Sequence, residues 1–177
     1  MTVHLETDRL VLREFIHDDY RLLTDLDSDP EVLRYLADAP PTESEQRDAV
    51  ARCISNYCNY PGFGFYIALE KPSLTFIGWF HFRPDRKNPV DMEIGYRLKR
   101  SAWGRGLATE GSRALIERGW KQGVTSVSGR TAKRNLMSRN VLEKCGLRLV
   151  EEYDEPRIPG DDKTAILLRL EAPTPVR

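Results

Sequence analysis

Long apolar runs are missing from this chain. Its uninterrupted stretches are short ones such as Phe65-Tyr66-Ile67-Ala68-Leu69, far below the roughly 18 residues that a membrane-spanning helix needs. Cysteine is scarce: Cys53, Cys58 and Cys145 are too few for a disulfide framework, and Cys53-x4-Cys58 has no second ligand pair to make a metal site. Reduced thiols, no metal and a cytoplasmic location are the expectation. The opening Met1-Thr2-Val3-His4-Leu5-Glu6 lacks a basic stretch followed by an apolar block, so no secretory signal is expected. Internal repeats and low-complexity linkers are absent too. What remains is a chain of 177 residues, 40% apolar and 31% charged, which suits one domain over residues 1–172 with a short flexible tail at 173–177.

Net charge is zero, but the signs are segregated. Between Arg97 and Arg148 thirteen basic residues face only Glu110, Glu117 and Glu143, an excess of ten that the rest of the chain balances. Such a segment fits a polyanionic ligand, either nucleic acid or a small molecule with several phosphates; solvated helix faces are the plain alternative. Direct nucleic-acid binding is disfavoured, because Trp103 and Trp120 are the only aromatic residues there and single-strand binders interleave aromatics with basic residues.

Hydrophobic periodicity predicts a mixed α/β (α+β) fold. Strands are expected at Leu10–Glu14, Phe63–Leu69, Phe76–Phe82, Met92–Leu98 and Ser126–Thr131, with two more near Leu147–Tyr153 and Lys163–Leu170. Helices are expected from Asp18 to Leu26, for a turn or two over Glu31–Leu36, from a Thr42-Glu43-Ser44-Glu45 capping box to Asn59, and over Ala108–Gln122 and Leu136–Cys145.

The informative string is Leu98-Lys99-Arg100-Ser101-Ala102-Trp103-Gly104-Arg105-Gly106-Leu107-Ala108-Thr109. A glycine turn opening a helix leaves several N–H groups unpaired and aimed one way, at the positive end of the helix dipole; that arrangement binds phosphate. It is not a P-loop, since G-x4-G-K-[ST] is absent, nor a dinucleotide fingerprint, since Thr109 stands where the third glycine belongs.

Trp103-Gly104-Arg105-Gly106-Leu107-Ala108 resembles the coenzyme A loop of the GNAT superfamily of N-acetyltransferases. Thr7-Asp8-Arg9-Leu10, Glu93-Ile94-Gly95-Tyr96, Ala108-Thr109-Glu110 and the run from Asn135 through Ser138, Val141, Leu142, Glu143, Lys144, Cys145 and Gly146 to Leu147 look most like its RimJ/RimL branch. The resemblance implies a mostly antiparallel sheet flanked by helices and splayed between the fourth and fifth predicted strands, Met92–Leu98 and Ser126–Thr131. Acetyl-CoA would lie in that opening. Its pantetheine arm would pair with the main chain around Leu98 and Lys99. Its diphosphate would sit on the loop formed by Trp103, Gly104, Arg105, Gly106, Leu107, Ala108 and Thr109, with Arg105 adding charge. Asn135 would reach the cofactor arm.

One departure matters. Many superfamily members carry a tyrosine as general acid where this chain has Leu142. Ser138, one turn beyond Asn135, is the expected proton donor to the departing thiolate, and Glu93 the expected base. Freeing an amine of its proton at pH 7 costs about 1 kcal/mol for an α-amine and about 4–5 kcal/mol for lysine, which favours α-amines or low-pKa small amines. The expected acceptor is therefore a protein N-terminus or a small amine such as a polyamine, amino acid or antibiotic, and the expected assembly a monomer or homodimer. A catalytically silent acyl-CoA-binding module is the alternative. His81 reads either as an acceptor-site residue or as an ordinary sheet histidine; Tyr35, Tyr57 and Trp79 read as pocket wall or core.

Overall fold

The computed structural model describes residues 2–173; all but the first residue of the expected 173–177 tail lies outside the described residues. Thirteen elements follow in order: β1 (Val3–Glu6), β2 (Leu10–Glu14), α1 (Tyr20–Asp27), α2 (Pro30–Leu33), α3 (Glu43–Asn59), β3 (Gly64–Glu70), β4 (Thr75–Pro84), β5 (Met92–Leu98), α4 (Leu107–Lys121), β6 (Ser126–Ala132), α5 (Leu136–Lys144), β7 (Arg148–Asp154) and β8 (Thr164–Glu171), with 3-10 turns at His17–Asp19 and Arg100–Ala102.

All eight strands share one sheet, ordered β1-β2-β3-β4-β5-β6-β8-β7. Every neighbouring pair is antiparallel except β5 and β6, which run parallel because α4 crosses between them. That parallel join is short. Only Met92 with Val127 and Glu93 with Ser128 are paired, so Ile94–Leu98 and Gly129–Ala132 diverge into a V. Buried polar contacts pin the closed end: the Ser126 hydroxyl donates to Asp91, and the Ser128 hydroxyl to Asp85 at 2.7 Å.

Each face of the sheet is covered. On one, Phe80, Phe82, Ile94 and Leu98 pack with Leu107, Leu115, Ile116 and Leu142 of α4 and α5. Gly111 lets α4 lie close, since a Cβ there would stand 2.5 Å from Cζ of Phe80. On the other face Val11 and Ile67 pack with Leu23, Leu26, Val50 and Cys53 of α1 and α3. The predicted capping box starts α3: the Thr42 hydroxyl accepts from the amide of Glu45, whose carboxylate accepts from the amide of Thr42 at 2.7 Å.

Three expectations needed revision. β1 was not foreseen, since Val3-His4-Leu5-Glu6 is too short and mixed to read as a strand; it is held by pairing with β2. The first helix begins as a 3-10 turn, because Asp19 is drawn back into a buried bidentate pair with Arg13, at 2.6 and 2.7 Å, while accepting from the amide of Ile16. α2 ends at Leu33 rather than Leu36. Among the described residues no helix is long and apolar enough to cross a membrane.

Candidate active site

The glycine turn joins the end of β5 to α4. Gly104 and Gly106 sit at φ 70° and 78°, left-handed conformations that a side chain would strain. The indole Nε1 of Trp103 donates to the Leu98 carbonyl at 2.8 Å, fixing the inner side of the turn. From outside, the guanidinium of Arg9 donates to the Arg105 carbonyl at 2.9 Å. Between these two tethers the amides of residues 104–109 have no backbone acceptor among the described residues, and nothing lies within 4 Å of where a Cβ on Gly104 would stand. Free donors, an open lip and a helix dipole fit a diphosphate.

From this turn a cleft of about 640 Å³ runs through the V to the segment after α2. Leu98, Trp103, Gly104, Gly106, Leu107, Ala108, Thr109, Asn135, Ser138 and Leu142 all line it. Ladder geometry decides which main-chain groups face the opening. The amide of Lys99 goes to Ile77 of β4 at 2.8 Å, so alternation turns the groups of Tyr96 and Leu98 the other way, toward the V.

Three expected residues are placed outside the lining. Lys99 sends its ammonium to Asp25 and its carbonyl to the amide of Ala102. Arg105 is clamped by Glu70, which neutralises its charge. Glu93 stands behind the cleft wall, held by Arg83 and, at 3.4 Å, by Arg130. Each is claimed by a partner far along the chain, which local spacing does not reveal.

On α5 the Asn135 side chain caps the helix, accepting from the amide of Ser138 at 3.1 Å, which leaves its NH2 group for a ligand. Ser138 on α5 and Tyr96 on β5 line the cleft from its two walls. Burial pushes the Tyr96 pKa up to about 12, against a smaller lowering by the nearby Ser138 hydroxyl; the phenol stays protonated and can donate. The sequence does not single out Tyr96, because the alternation Met92, Ile94, Tyr96, Leu98 reads as an apolar row. Leu142 is buried against Gly129 and offers no proton.

The far end of the cleft is walled by Trp79, His81, Gly95, Arg97, Arg130, Tyr35, Arg34 and Arg134. His81 lies over Gly95, where a Cβ would come within 2.6 Å of its ring, and against Phe65 and Trp79. Burial, aided by Arg83 and Arg86, pulls its pKa down to about 3; the ring is neutral, and neither nitrogen has a hydrogen-bond partner among the described residues. Tyr57 instead belongs to the fold, its hydroxyl bridging Phe15 and Phe65. Cys145 points at the Thr109 carbonyl, and burial lifts its thiol to about 11, which suits packing rather than nucleophilic attack.

A family model described as an acetyltransferase (GNAT) domain matches residues 9–148. The FsC-acetyl coenzyme A-N(2)-transacetylase of Aspergillus fumigatus is 32% identical, the match covering 86% of this chain and 69% of that protein. An acetyltransferase structure of the GNAT family from Bacillus anthracis aligns with a TM-score of 0.80 at 18% identity, over 97% of this chain and 98% of that one. RimL, a ribosomal L7/L12 alpha-N-protein acetyltransferase in complex with coenzyme A, aligns at 0.79 and 18%, over 96% and 97%; at such identities the likeness is one of fold. The chain therefore belongs to the GNAT acetyltransferase family, and acetyl-CoA is its acetyl donor.

Proposed function

We propose that the chain transfers the acetyl group of acetyl-CoA directly to a primary α-amine. The observation that carries this reading is the placing of Tyr96 and Ser138 on facing walls of the cleft that begins at the amide-lined turn. The amides of residues 104–109 hold the diphosphate. The main chain of Tyr96 and Leu98 takes the pantetheine arm, with the Asn135 amide group across from it. Attack by the amine nitrogen on the thioester carbonyl places charge on the carbonyl oxygen, which a main-chain N–H of β5 stabilises. As the C–S bond breaks, the Ser138 hydroxyl gives a hydrogen bond to the sulfur, backed by the Tyr96 phenol. A thiol of pKa near 8.5 needs little more to leave at neutral pH.

With Glu93 held by Arg83 and Arg130, we assign the amine's proton to water at the acceptor end rather than to that carboxylate. This relay favours amines that lose a proton near neutrality. The relatives' names point the same way, one acting at an N(2) nitrogen and one at a protein α-nitrogen.

The test is thiol release from acetyl-CoA across a panel of amines. Ser138→Ala should lower kcat about a hundredfold with acetyl-CoA affinity nearly unchanged, whereas Gly104→Asp, which puts a carboxylate on the lip, should remove acetyl-CoA binding itself. Binding without thiol release from any amine would make the chain a silent acyl-CoA module.

A further inference from the structure

Resting on that acetyltransfer reading, we infer that the acceptor carries an anionic group, a carboxylate or a phosphate, close to its amine. The acceptor end lies on the α1 side of the sheet, since Arg97 reaches Asp27 of α1 while its neighbour Leu98 packs under α4. Four guanidiniums, those of Arg34, Arg97, Arg130 and Arg134, line this end. Among the described residues the one carboxylate in the lining is Glu31, already paired with Arg34 at 3.6 Å.

The compensating acids stand behind the wall. Asp27 and Asp85 have side chains only 4% and 1% exposed. They hold Arg97 and Arg130 through Nη1 alone, so each guanidinium is oriented while its Nη2 has no partner among the described residues. The buried Nε of Arg97 has none either. Arg134 has no carboxylate within ion-pair distance among the described residues; it donates to the Pro159 carbonyl and lies 5.6 Å from the centre of the Tyr35 ring, which Arg34 approaches at 5.4 Å. Oriented guanidinium edges with donors to spare recognise carboxylates and phosphates.

The same wall argues against polycations. A polyamine or aminoglycoside would find no uncommitted carboxylate there. It also contributes to the chemistry, because neighbouring positive charges favour the uncharged form of an amine, which is the form that attacks and which no committed base supplies.

The experiment compares matched acceptors at saturating acetyl-CoA: an α-amino acid against its amide, ethanolamine phosphate against ethanolamine, and putrescine. The anionic member of at least one pair should exceed its neutral partner by about tenfold or more in kcat/KM, as charge-assisted bonds imply, and putrescine should be the poorest. The two pairs tell carboxylate from phosphate. Arg134→Glu should level the preference, and Arg34→Glu, on the exposed rim, should lower it while retaining the acetyl-CoA-induced rise in melting temperature that marks an intact fold. Equal rates within each pair, or preference for the neutral or cationic member, would overturn this inference and leave acetyltransfer standing. A panel silent throughout with acetyl-CoA bound would overturn acetyltransfer, and the inference with it.

Discussion

His81 shows how one side chain of the cleft wall can set the pH dependence of stability. Its ring is packed among Phe65, Trp79 and Gly95, with the Glu93 carboxylate at 3.8 Å and Arg83 on the same strand. Its pKa lies near 3 when folded, against an ordinary 6.5. Between those values the unfolded chain binds the proton that the folded chain refuses, so stability falls as pH drops below 6.5. At pH 4.5 the difference amounts to about 2–3 kcal/mol. Urea titrations at pH 7 and 4.5 should show the wild type losing about that much more than His81→Leu. An equal loss in both would mean that the ring is hydrated and protonates freely. His4, whose pKa burial lowers to about 4, adds to the loss in the same window but is present in both proteins. Much at this scale was legible in the sequence: Asn135 and Ser138 are a cap and its third residue, and the glycines mark the turn. Glu93 was not, because the partners that hold it, Arg83 and Arg130, come from other strands.

At the scale of elements, the Thr7-Asp8-Arg9-Leu10 string finds its role in the first turn of α4. Glu110 accepts from the Thr7 hydroxyl at 2.5 Å and from Arg9 at its amide, 3.0 Å, and its Nε, 2.6 Å. Burial alone would raise the carboxyl's pKa, but these bonds outweigh it and the pKa is lowered. The β1–β2 turn is thereby latched to the helix whose N-terminus we propose holds the diphosphate, and Arg9 extends the latch to the Arg105 carbonyl. Glu110→Ala should cost about 1–2 kcal/mol, the bonds being to a charged but partly exposed group. The urea midpoint should fall with an unchanged slope, while the KM for acetyl-CoA rises several-fold. Unchanged KM despite lost stability would show that the loop keeps its shape without the latch. Sequence periodicity identified α3, α4 and α5 closely because their caps and apolar stripes are local. It missed β1, whose strand character comes only from pairing with β2.

Across the whole molecule, the segregation of charge has a different meaning from the one composition suggested. Of the basic residues between Arg97 and Arg148, six pair with carboxylates outside that segment: Arg97 with Asp27, Lys99 with Asp25, Arg100 with Asp29, Arg105 with Glu70, Arg130 with Asp85 and Lys133 with Glu152. The excess therefore ties the segment to acids elsewhere in the fold more than it attracts a polyanion. The two halves of the sheet, β1 to β5 and β6 to β8, are paired with each other only through two residue pairs of β5 and β6, so a ligand in the V would bridge what the ladder does not. Acetyl-CoA at a hundredfold over its Kd should stabilise the fold by about 2.7 kcal/mol, a rise of about 5–10 °C in Tm for a chain of this size. Hydrogen exchange locates the effect. The amides of Tyr96 and Leu98 should exchange readily in the free protein and become protected with acetyl-CoA, while those of Arg97 and Lys99, already turned to β4, should change little. Protection of Tyr96 and Leu98 without ligand would mean that β5 and β6 zip together in solution, and the coenzyme would then have to break a ladder instead of completing one.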